Sequence, residues 1–179
     1  MFINQKIVKF LFFLICFIIF SSISQTNEDV PLNNIAINET PKPISSLIFE
    51  DFSGNKINLK DYKGKLVIIN FWATWCAPCK KEMPSLDSLY RDSSFNNLVV
   101  LAVNLEQPNP LKAKNFFINL KIKKLEIFFD SELNFVKEFK LRGMPTTVLI
   151  NKNGEEFARI IGEVNFKDKS FLKWLSKYD

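Results

Sequence analysis

The chain has 179 residues, of which 47% are hydrophobic, and it carries a formal net charge of +5. This length suits one domain with an N-terminal extension. The sequence contains no histidine, which excludes Ser-His and Cys-His nucleophile systems and imidazole ligands for copper, zinc or haem. Its lysines are scattered or form short clusters without an arginine-and-aromatic platform, so no nucleic-acid partner is expected.

Residues 1–25 have the pattern of a targeting segment. Lys6 and Lys9 precede an unbroken apolar run, Phe10–Phe20, and Ser22–Ser24 offers the small residues of a signal-peptidase site. The run is short for a bilayer span, but an uncleaved inner-membrane anchor stays open if the run extends by three residues. Both alternatives predict that the rest of the chain is periplasmic.

Residues 26–43 are polar, contain three prolines and are predicted to form a flexible linker to a domain over 44–179. The domain begins with a predicted β-hairpin, Leu47–Leu59, around the turn cluster Ser53-Gly54-Asn55. Strands and helices then alternate, which predicts an α/β fold with a mixed sheet and helices on both faces. The predicted strands are Leu66–Phe71, Leu98–Val103, Leu125–Phe129, Thr146–Ile150 and Glu155–Ile161, and the predicted helices are Lys80–Tyr90, Leu111–Leu120, Leu133–Phe139 and Phe166–Tyr178.

Candidate chemistry is concentrated in the motif Cys76-Ala77-Pro78-Cys79. A buried-type strand leads into the motif and a helix leaves it. Cys76 is therefore expected at a helix N-terminus, where the backbone dipole and free N–H groups favour a thiolate. A thiol of low pKa beside a second, resolving thiol is the equipment of dithiol–disulfide exchange.

Other uses of this cysteine pair are less compatible with the sequence. A zinc half-site would need a second ligand pair, and the only other cysteine, Cys16, lies in the N-terminal apolar run. A c-type haem site would need histidine where Lys80 stands. A purely structural disulfide stays an alternative, although so short a loop constrains the unfolded chain little. The pattern therefore predicts neither a metal nor an organic cofactor.

The segment Trp72–Glu82, together with Gly143-Met144-Pro145-Thr146-Thr147, resembles the TlpA/ResA branch of the thioredoxin superfamily. These are exported or membrane-anchored bacterial thiol-disulfide oxidoreductases. The resemblance covers roughly residues 43–179 and implies a thioredoxin fold, with an N-terminal hairpin and an inserted helix-strand segment, Leu111–Phe129. It implies that Cys76 is the nucleophile and that Cys79 is the buried resolving cysteine.

The resemblance also implies a substrate-binding surface. Pro145 matches the proline that is cis in the superfamily, and X–Pro bonds carry only a small cis penalty. Met144 would then present its backbone N–H and C=O groups to an extended substrate peptide. Trp75, Ala77 and Pro78 surround the cysteines in the motif and would contact the substrate from the other side.

One position departs from plain thioredoxin. Asn70 stands where thioredoxin has a buried aspartate that helps to deprotonate the resolving cysteine, and an amide is no base. Glu82 lies one helical turn after Cys79, and helical side chains lean toward the N-terminus, so its carboxylate is expected at the active-site end. The ResA branch has a functional glutamate there. Our hypothesis is that Glu82 tunes both thiols and assists proton transfer at Cys79; the alternative is an acid favoured only by the helix dipole.

These observations predict an exported protein dithiol–disulfide oxidoreductase that reduces its substrates. By resemblance, a membrane thiol reductase of the cytochrome c biogenesis type would supply electrons, and the substrates would be apocytochrome c or copper proteins of oxidase assembly. One alternative is an oxidase that forms disulfides in exported proteins with the same residues. Another is a redox-inactive binding module, although such modules usually lose one of the cysteines.

Overall fold

Eight strands and four α-helices make up the part of the chain, residues 32–179, that the computed structural model describes. The predicted targeting segment 1–25 lies outside the described residues. The strands are β1 (Ile35–Pro43), β2 (Ile48–Glu50), β3 (Lys56–Asn58), β4 (Leu66–Trp72), β5 (Leu98–Asn104), β6 (Ile127–Phe129), β7 (Thr146–Ile150) and β8 (Glu155–Ile161). The helices are α1 (Ala77–Tyr90), α2 (Pro110–Asn119), α3 (Asn134–Phe139) and α4 (Lys169–Leu175), with short 3-10 helices at Leu59–Tyr62 and Ser176–Tyr178.

All strands belong to one mixed sheet of order β1-β8-β7-β4-β5-β6-β2-β3. Strand β4 lies at its centre, as its all-buried, nearly all-apolar sequence predicts. It pairs in parallel with β5 and antiparallel with β7. Because the active-site motif follows β4 directly, this pairing places the motif at the middle of one end of the sheet.

Alternating residues of β4 pack on opposite faces of the sheet. Ile68 belongs to one hydrophobic cluster with side chains of α1, α2 and α4, whereas Ile69 belongs to a second cluster with Phe135 and Phe139 of α3. Full burial of an Ile or Phe side chain stabilises the fold by about 1.5–3 kcal/mol. Helices therefore cover both faces of the sheet, which confirms the predicted fold class.

The N-terminal hairpin is present as β2 and β3, which pair antiparallel from Ile48 opposite Asn58. Its turn is held by the carboxylate of Asp51, which accepts the N–H groups of Ser53 and Asn55, each at 2.8 Å. Strand β2 joins the sheet at the end of β6. The predicted helix-strand insertion is also present, as α2 followed by β6, and β6 extends the parallel part of the sheet.

Two helices begin three residues away from the start that the hydrophobic spacing predicted, and the other two begin within one residue of it. Helix α1 starts at Ala77 instead of Lys80, because Cys76 is its N-cap and Pro78 fits the first turn, where no backbone N–H is needed. Helix α4 starts after Asp168 instead of at Phe166. The Asp168 carboxylate caps it by accepting the N–H groups of Ser170 and Phe171 at 2.9 and 3.0 Å.

The flexible linker predicted over 26–43 is wrong from Ile35 onward, because that part is strand β1. Ile35 lies opposite Ile160 of β8, and the two strands run antiparallel. Strand β1 begins at the active-site end of the sheet, where the Asn34 side chain donates to the carbonyl of Ile161 at 3.1 Å. The linker was predicted because the segment contains prolines. An edge strand accommodates proline, since one side of its backbone needs no hydrogen-bond partner.

None of the helices in residues 32–179 is both long and apolar enough to cross a membrane.

Candidate active site

Cys76 and Cys79 form a disulfide at the N-terminus of α1, with a Cα–Cα distance of 5.3 Å. Cys76 is 3% exposed and Cys79 is fully buried. The Cys76 sulfur accepts the N–H of Cys79 at 3.2 Å, in the position of an N-cap side chain. The helix N-terminus thus places positive backbone potential on the one sulfur of the pair whose residue reaches solvent, which favours its thiolate after reduction.

The loop before β7 lies at the same end of the sheet as this disulfide, since Thr146 pairs with Phe71 of β4, and it contains a cis peptide bond, Met144-Pro145. Two hydrogen bonds fix the loop: the Thr146 hydroxyl donates to the carbonyl of Gly143 at 2.8 Å, and the N–H of Gly162 donates to the carbonyl of Pro145 at 2.9 Å. Met144 is half-buried against the same hydrophobic cluster that contains both cysteines. The cis conformation predicted for Pro145 is therefore present.

The residues around the cysteines divide into an exposed rim and a buried support. Trp75 is 67% exposed, and Ala77 and Pro78 are exposed beside it. Trp72 is fully buried and its ring stacks on Phe116 at a centroid distance of 4.7 Å. The rim residues are placed where a substrate chain has access to them, whereas Trp72 supports the motif from the core.

Glu82 is buried beneath the disulfide, one turn along α1, with an exposed fraction of 2%. Its carboxylate accepts the Asn70 amide N–H at 2.8 Å and the backbone N–H of Val164 at 3.1 Å. Burial raises the pKa of Glu82 to about 7, against the opposing effect of these two hydrogen bonds. Residues three apart on a helix have Cβ atoms about 5–6 Å apart, so this carboxyl group is a near neighbour of Cys79.

Asn70 can serve both protonation states of Glu82. Its amide nitrogen also donates to the Thr147 hydroxyl at 2.9 Å, while its amide oxygen is buried without a hydrogen-bond partner among the described residues. Rotation of the amide by about 180° exchanges the donor for the acceptor. A carboxylate at Glu82 is then met by the amide nitrogen, and a protonated carboxyl group by the amide oxygen.

A cleft of about 320 Å³ connects the surroundings of Glu82 to the surface. It is lined by Ser85 of α1 and by the segment that follows β8, including Val164. At its mouth Lys81 forms an ion pair with Glu163. The cleft gives a proton on Glu82 a route to solvent that does not pass through the disulfide.

A carboxylate that the sequence analysis did not single out holds the other side of the motif. Glu106, in the loop after β5, accepts the backbone N–H of Thr74 at 2.5 Å and its hydroxyl at 3.0 Å. Lys112 of α2 donates to the same carboxylate at 2.5 Å. Burial acts to raise the pKa of Glu106, but the bonds from Lys112 and Thr74 outweigh it and the pKa is lowered. Glu106 therefore fixes the turn that leads into Trp75 and Cys76.

Within residues 32–179 no three histidine, cysteine, aspartate or glutamate side chains are grouped so that they could hold a metal ion. The chemistry that the site does provide is sulfur exchange: an accessible sulfur at a helix N-terminus, a buried partner sulfur and an ionisable buried carboxyl group.

The sequence is similar to those of known proteins. Residues 41–155 match the AhpC/TSA family. The chain is also 35% identical over 122 residues to the thiol-disulfide oxidoreductase ResA of Bacillus anthracis, a match that covers 68% of this chain and 69% of that protein. The chain belongs to the AhpC/TSA family, as a ResA-like thiol-disulfide oxidoreductase.

Solved structures of similar proteins agree with the fold of this ResA-like oxidoreductase. StoA from Bacillus subtilis superposes with a TM-score of 0.61 at 28% identity, covering 77% of this chain and 98% of that chain. The exposed lipoprotein thioredoxin Etrx1 of Streptococcus pneumoniae strain TIGR4 gives a TM-score of 0.63 at 26% identity, covering 74% and 99%. The thioredoxin fold predicted for the ResA-like chain is thus confirmed.

In this ResA-like oxidoreductase, Glu106→Gln should loosen the turn before Cys76. An amide replaces a charged acceptor of four hydrogen bonds, so we expect the free energy of unfolding at pH 7 to fall by about 1–2 kcal/mol and the Thr74 amide to exchange faster. Since the folded-state pKa of Glu106 is lowered, its stabilisation is present above the unfolded-state pKa of about 4.5 and is lost as the pH falls through the folded-state value.

Chemical denaturation and amide hydrogen exchange at pH 7 and pH 3 measure both effects, with the exposed Glu126→Gln as the matched control. Equal protection of Thr74 in the two variants would show that Glu106 does not fix this turn.

Proposed function

We propose that the protein reduces disulfide bonds in extracytoplasmic proteins through Cys76 and Cys79. The observation that carries the proposal is the disulfide at the N-terminus of α1 with the buried, ionisable Glu82 one turn below it. The cysteine pair supplies the exchange chemistry, and the carboxyl group supplies a place for the proton that the buried thiol must lose.

The reaction starts from the dithiol form. The Cys76 thiolate attacks one sulfur of the substrate disulfide, forms a mixed disulfide and expels the other substrate sulfur as a thiolate. Cys79 then loses its proton to Glu82 and attacks the Cys76 sulfur, which releases the second substrate thiolate. The substrate gains two electrons, Cys76 and Cys79 lose two and close their disulfide, and the proton leaves Glu82 through the cleft beside Ser85.

Two features of the site act on the direction of the reaction in opposite senses. Above pH 7 the Glu82 carboxylate adds a buried negative charge close to any thiolate on Cys79, which disfavours the reduced pair relative to the disulfide. A less stable reduced form is a stronger reductant. The helix N-terminus at Cys76 acts in the opposite sense, because it stabilises a thiolate.

The proposed partners follow from the direction of the reaction. The oxidised pair needs re-reduction, for which a membrane thiol reductase is the proposed donor, and apocytochrome c or copper proteins of oxidase assembly are the proposed substrates. The targeting pattern of residues 1–25 supports a periplasmic location, either free or anchored to the inner membrane. One structural relative is itself described as an exposed lipoprotein.

The reduction potential of the Cys76/Cys79 pair tests the direction. For the full-length protein in detergent, equilibrated in glutathione or dithiothreitol buffers, we expect a value of about −270 mV or lower, in the thioredoxin range. A value of about −120 mV, as in DsbA, would instead identify an oxidase that forms disulfides in its partners.

The cysteine pair can also be used to test where the domain is located in living cells. A membrane-impermeant maleimide should label the Cys76 thiol in intact cells in which the outer barrier has been opened, because the proposal requires a reduced and extracytoplasmic pair. Labelling only after lysis would place the domain in the cytoplasm, and labelling only after added reductant would mean that the pair is kept oxidised.

A further inference from the structure

A groove of about 620 Å³ runs between α3 and the outer strands β1 and β8. One end of it is lined by Gly143, Thr146 and Ile161. Gly143 and Thr146 flank the cis peptide Met144-Pro145 in the chain, and Ile161 lies opposite Thr146 in the sheet. The groove therefore begins beside the loop that is proposed to pair with the substrate.

The irregular pairing of β1 creates the space. Its first three residues pair with β8, but the register then shifts between Ile37 and Lys42. In the shifted part the Asn38 side chain, and not a strand backbone, donates to the carbonyl of Glu156 at 2.9 Å. The groove lies along this irregular edge, between Ala36 and Asn38 of β1 and Phe139 of α3.

The groove is lined by more cationic than anionic side chains. Both of its acids have partners, since Glu156 makes a double contact with Arg159 at 2.8 and 2.9 Å and Glu138 accepts the Ser45 hydroxyl at 2.7 Å. Three further cations line the groove and form no ion pair within residues 32–179: Lys42, Lys140 and Arg142. Counted over all of its charged lining residues, the groove holds four cations and two acids, so it presents an excess of positive charge.

Two exposed apolar side chains accompany the groove and the active site. Ile161 is 64% exposed at the end of the groove, and Trp75 is 67% exposed on the rim of the cysteines. Isolated exposed apolar residues are common on protein surfaces. Here Ile161 lies opposite Thr146 at the end of β8, and Trp75 directly precedes Cys76, so both are available at the active-site end of the sheet to a substrate chain.

We infer that the groove binds an acidic stretch of the substrate polypeptide next to its reactive cysteine. The inference rests on the proposed function, since the occupant is the chain whose disulfide is reduced. Arg142 precedes Met144 by two residues, at most about 7 Å along the chain, so the acidic side chains belong about two to four residues from the substrate cysteine. A polypeptide fits better than a free anion because the cations are spread along an open channel instead of converging on one point.

The test compares two peptides that carry the same internal disulfide. One has two glutamates three and four residues from the cysteine, and the other has glutamines there. We expect the dithiol form of the protein to reduce the glutamate peptide about tenfold faster at low salt, and this preference to fall to about twofold at 0.5 M salt, where the Debye length is only a few ångströms.

Two double variants distinguish an effect of the groove from an effect of the overall charge of the protein. Lys42→Gln/Arg142→Gln should lower the preference for the glutamate peptide to about twofold at low salt. Lys114→Gln/Lys173→Gln removes the same charge from α2 and α4, which pack on the other face of the sheet, and should keep the preference of the parent.

Equal rates for the two peptides would overturn the inference while leaving the proposed function intact, whereas failure to reduce either peptide would contradict the proposed function itself. A loss of preference in both double variants would assign the effect to net charge and also overturn the inference. The inference would also be overturned if Lys42→Gln/Arg142→Gln changed the sedimentation of the protein without changing its preference for the glutamate peptide. The groove would then bind a second copy of the chain.

Discussion

Cys79→Ser should turn the protein into a trap for its substrates. Cys76 keeps its place at the N-terminus of α1 and still attacks a substrate disulfide, but no thiol remains to resolve the mixed disulfide. Turnover should therefore fall on the order of a thousandfold or more, while a covalent complex accumulates. Non-reducing electrophoresis and mass spectrometry after incubation with a disulfide substrate measure the complex directly.

Cys76→Ser is the matched control, because it also replaces a cysteine sulfur by oxygen, three residues earlier in the chain. It should lose turnover equally but form no complex, since Cys79 is fully buried and the substrate sulfur has no access to it. Both variants are compared with the parent protein in its reduced form. The difference between variant and parent then contains no contribution from the loss of the disulfide itself. Complex formation by Cys76→Ser and not by Cys79→Ser would reverse the assigned roles, and unchanged function in both would indicate a binding module.

Glu82→Gln should lower activity and raise stability at the same time. If Glu82 takes the proton from Cys79, resolution of the mixed disulfide at pH 7 to 8 should slow by roughly 10- to 100-fold, and the inflection of the parent near pH 7 should disappear from the pH–rate profile. Stopped-flow kinetics of the second exchange step over pH 5 to 9 measure both quantities.

The effect of Glu82→Gln on the stability of the fold is opposite in sign to its effect on activity. The folded-state pKa of Glu82 is about 7, above its unfolded value of 4.5, so its contribution to stability is fully present below pH 4.5 and is lost as the pH rises through 7. The glutamine of the variant cannot ionise, so the variant should be more stable than the parent by about 3 kcal/mol at pH 8 and by little at pH 4. Denaturant titration at the two pH values measures this difference.

Glu126→Gln, an exposed change of the same kind, should alter neither profile. An acid that served only the helix dipole would give a less stable variant with an unchanged pH–rate profile, and that result would remove Glu82 from the mechanism.

The parts of the site that sequence predicts are those held by neighbours in the chain. Cys76 and Cys79 lie within one helical turn, and the cis bond belongs to a five-residue motif that ends at Thr147. The reach of Glu82 toward the active-site end followed from its distance of one turn from Cys79 and from the direction in which helical side chains lean. The local backbone fixes the geometry of the cysteines and of Glu82 before any tertiary contact is known, whereas the cis bond was implied by the resemblance of its motif to a known family.

Contacts between distant segments were not predictable in the same way. The N–H of Val164 that Glu82 accepts comes from 82 residues further along, and no pattern in the sequence identifies it. Glu106 stood in a segment predicted only as a loop. Its contact with Thr74 arises because β4 and β5 are parallel neighbours whose carboxyl ends meet at one edge. Strand β1 was missed for a similar reason, since its partner β8 is more than a hundred residues away.

The direction of β1 has a consequence for how the domain is held. Because Asn34 donates to the carbonyls of Ile161 and Glu163, the polypeptide enters the fold at the end that carries the disulfide. A tether attached to this strand is therefore fastened at the reactive pole of the domain and not at the opposite one.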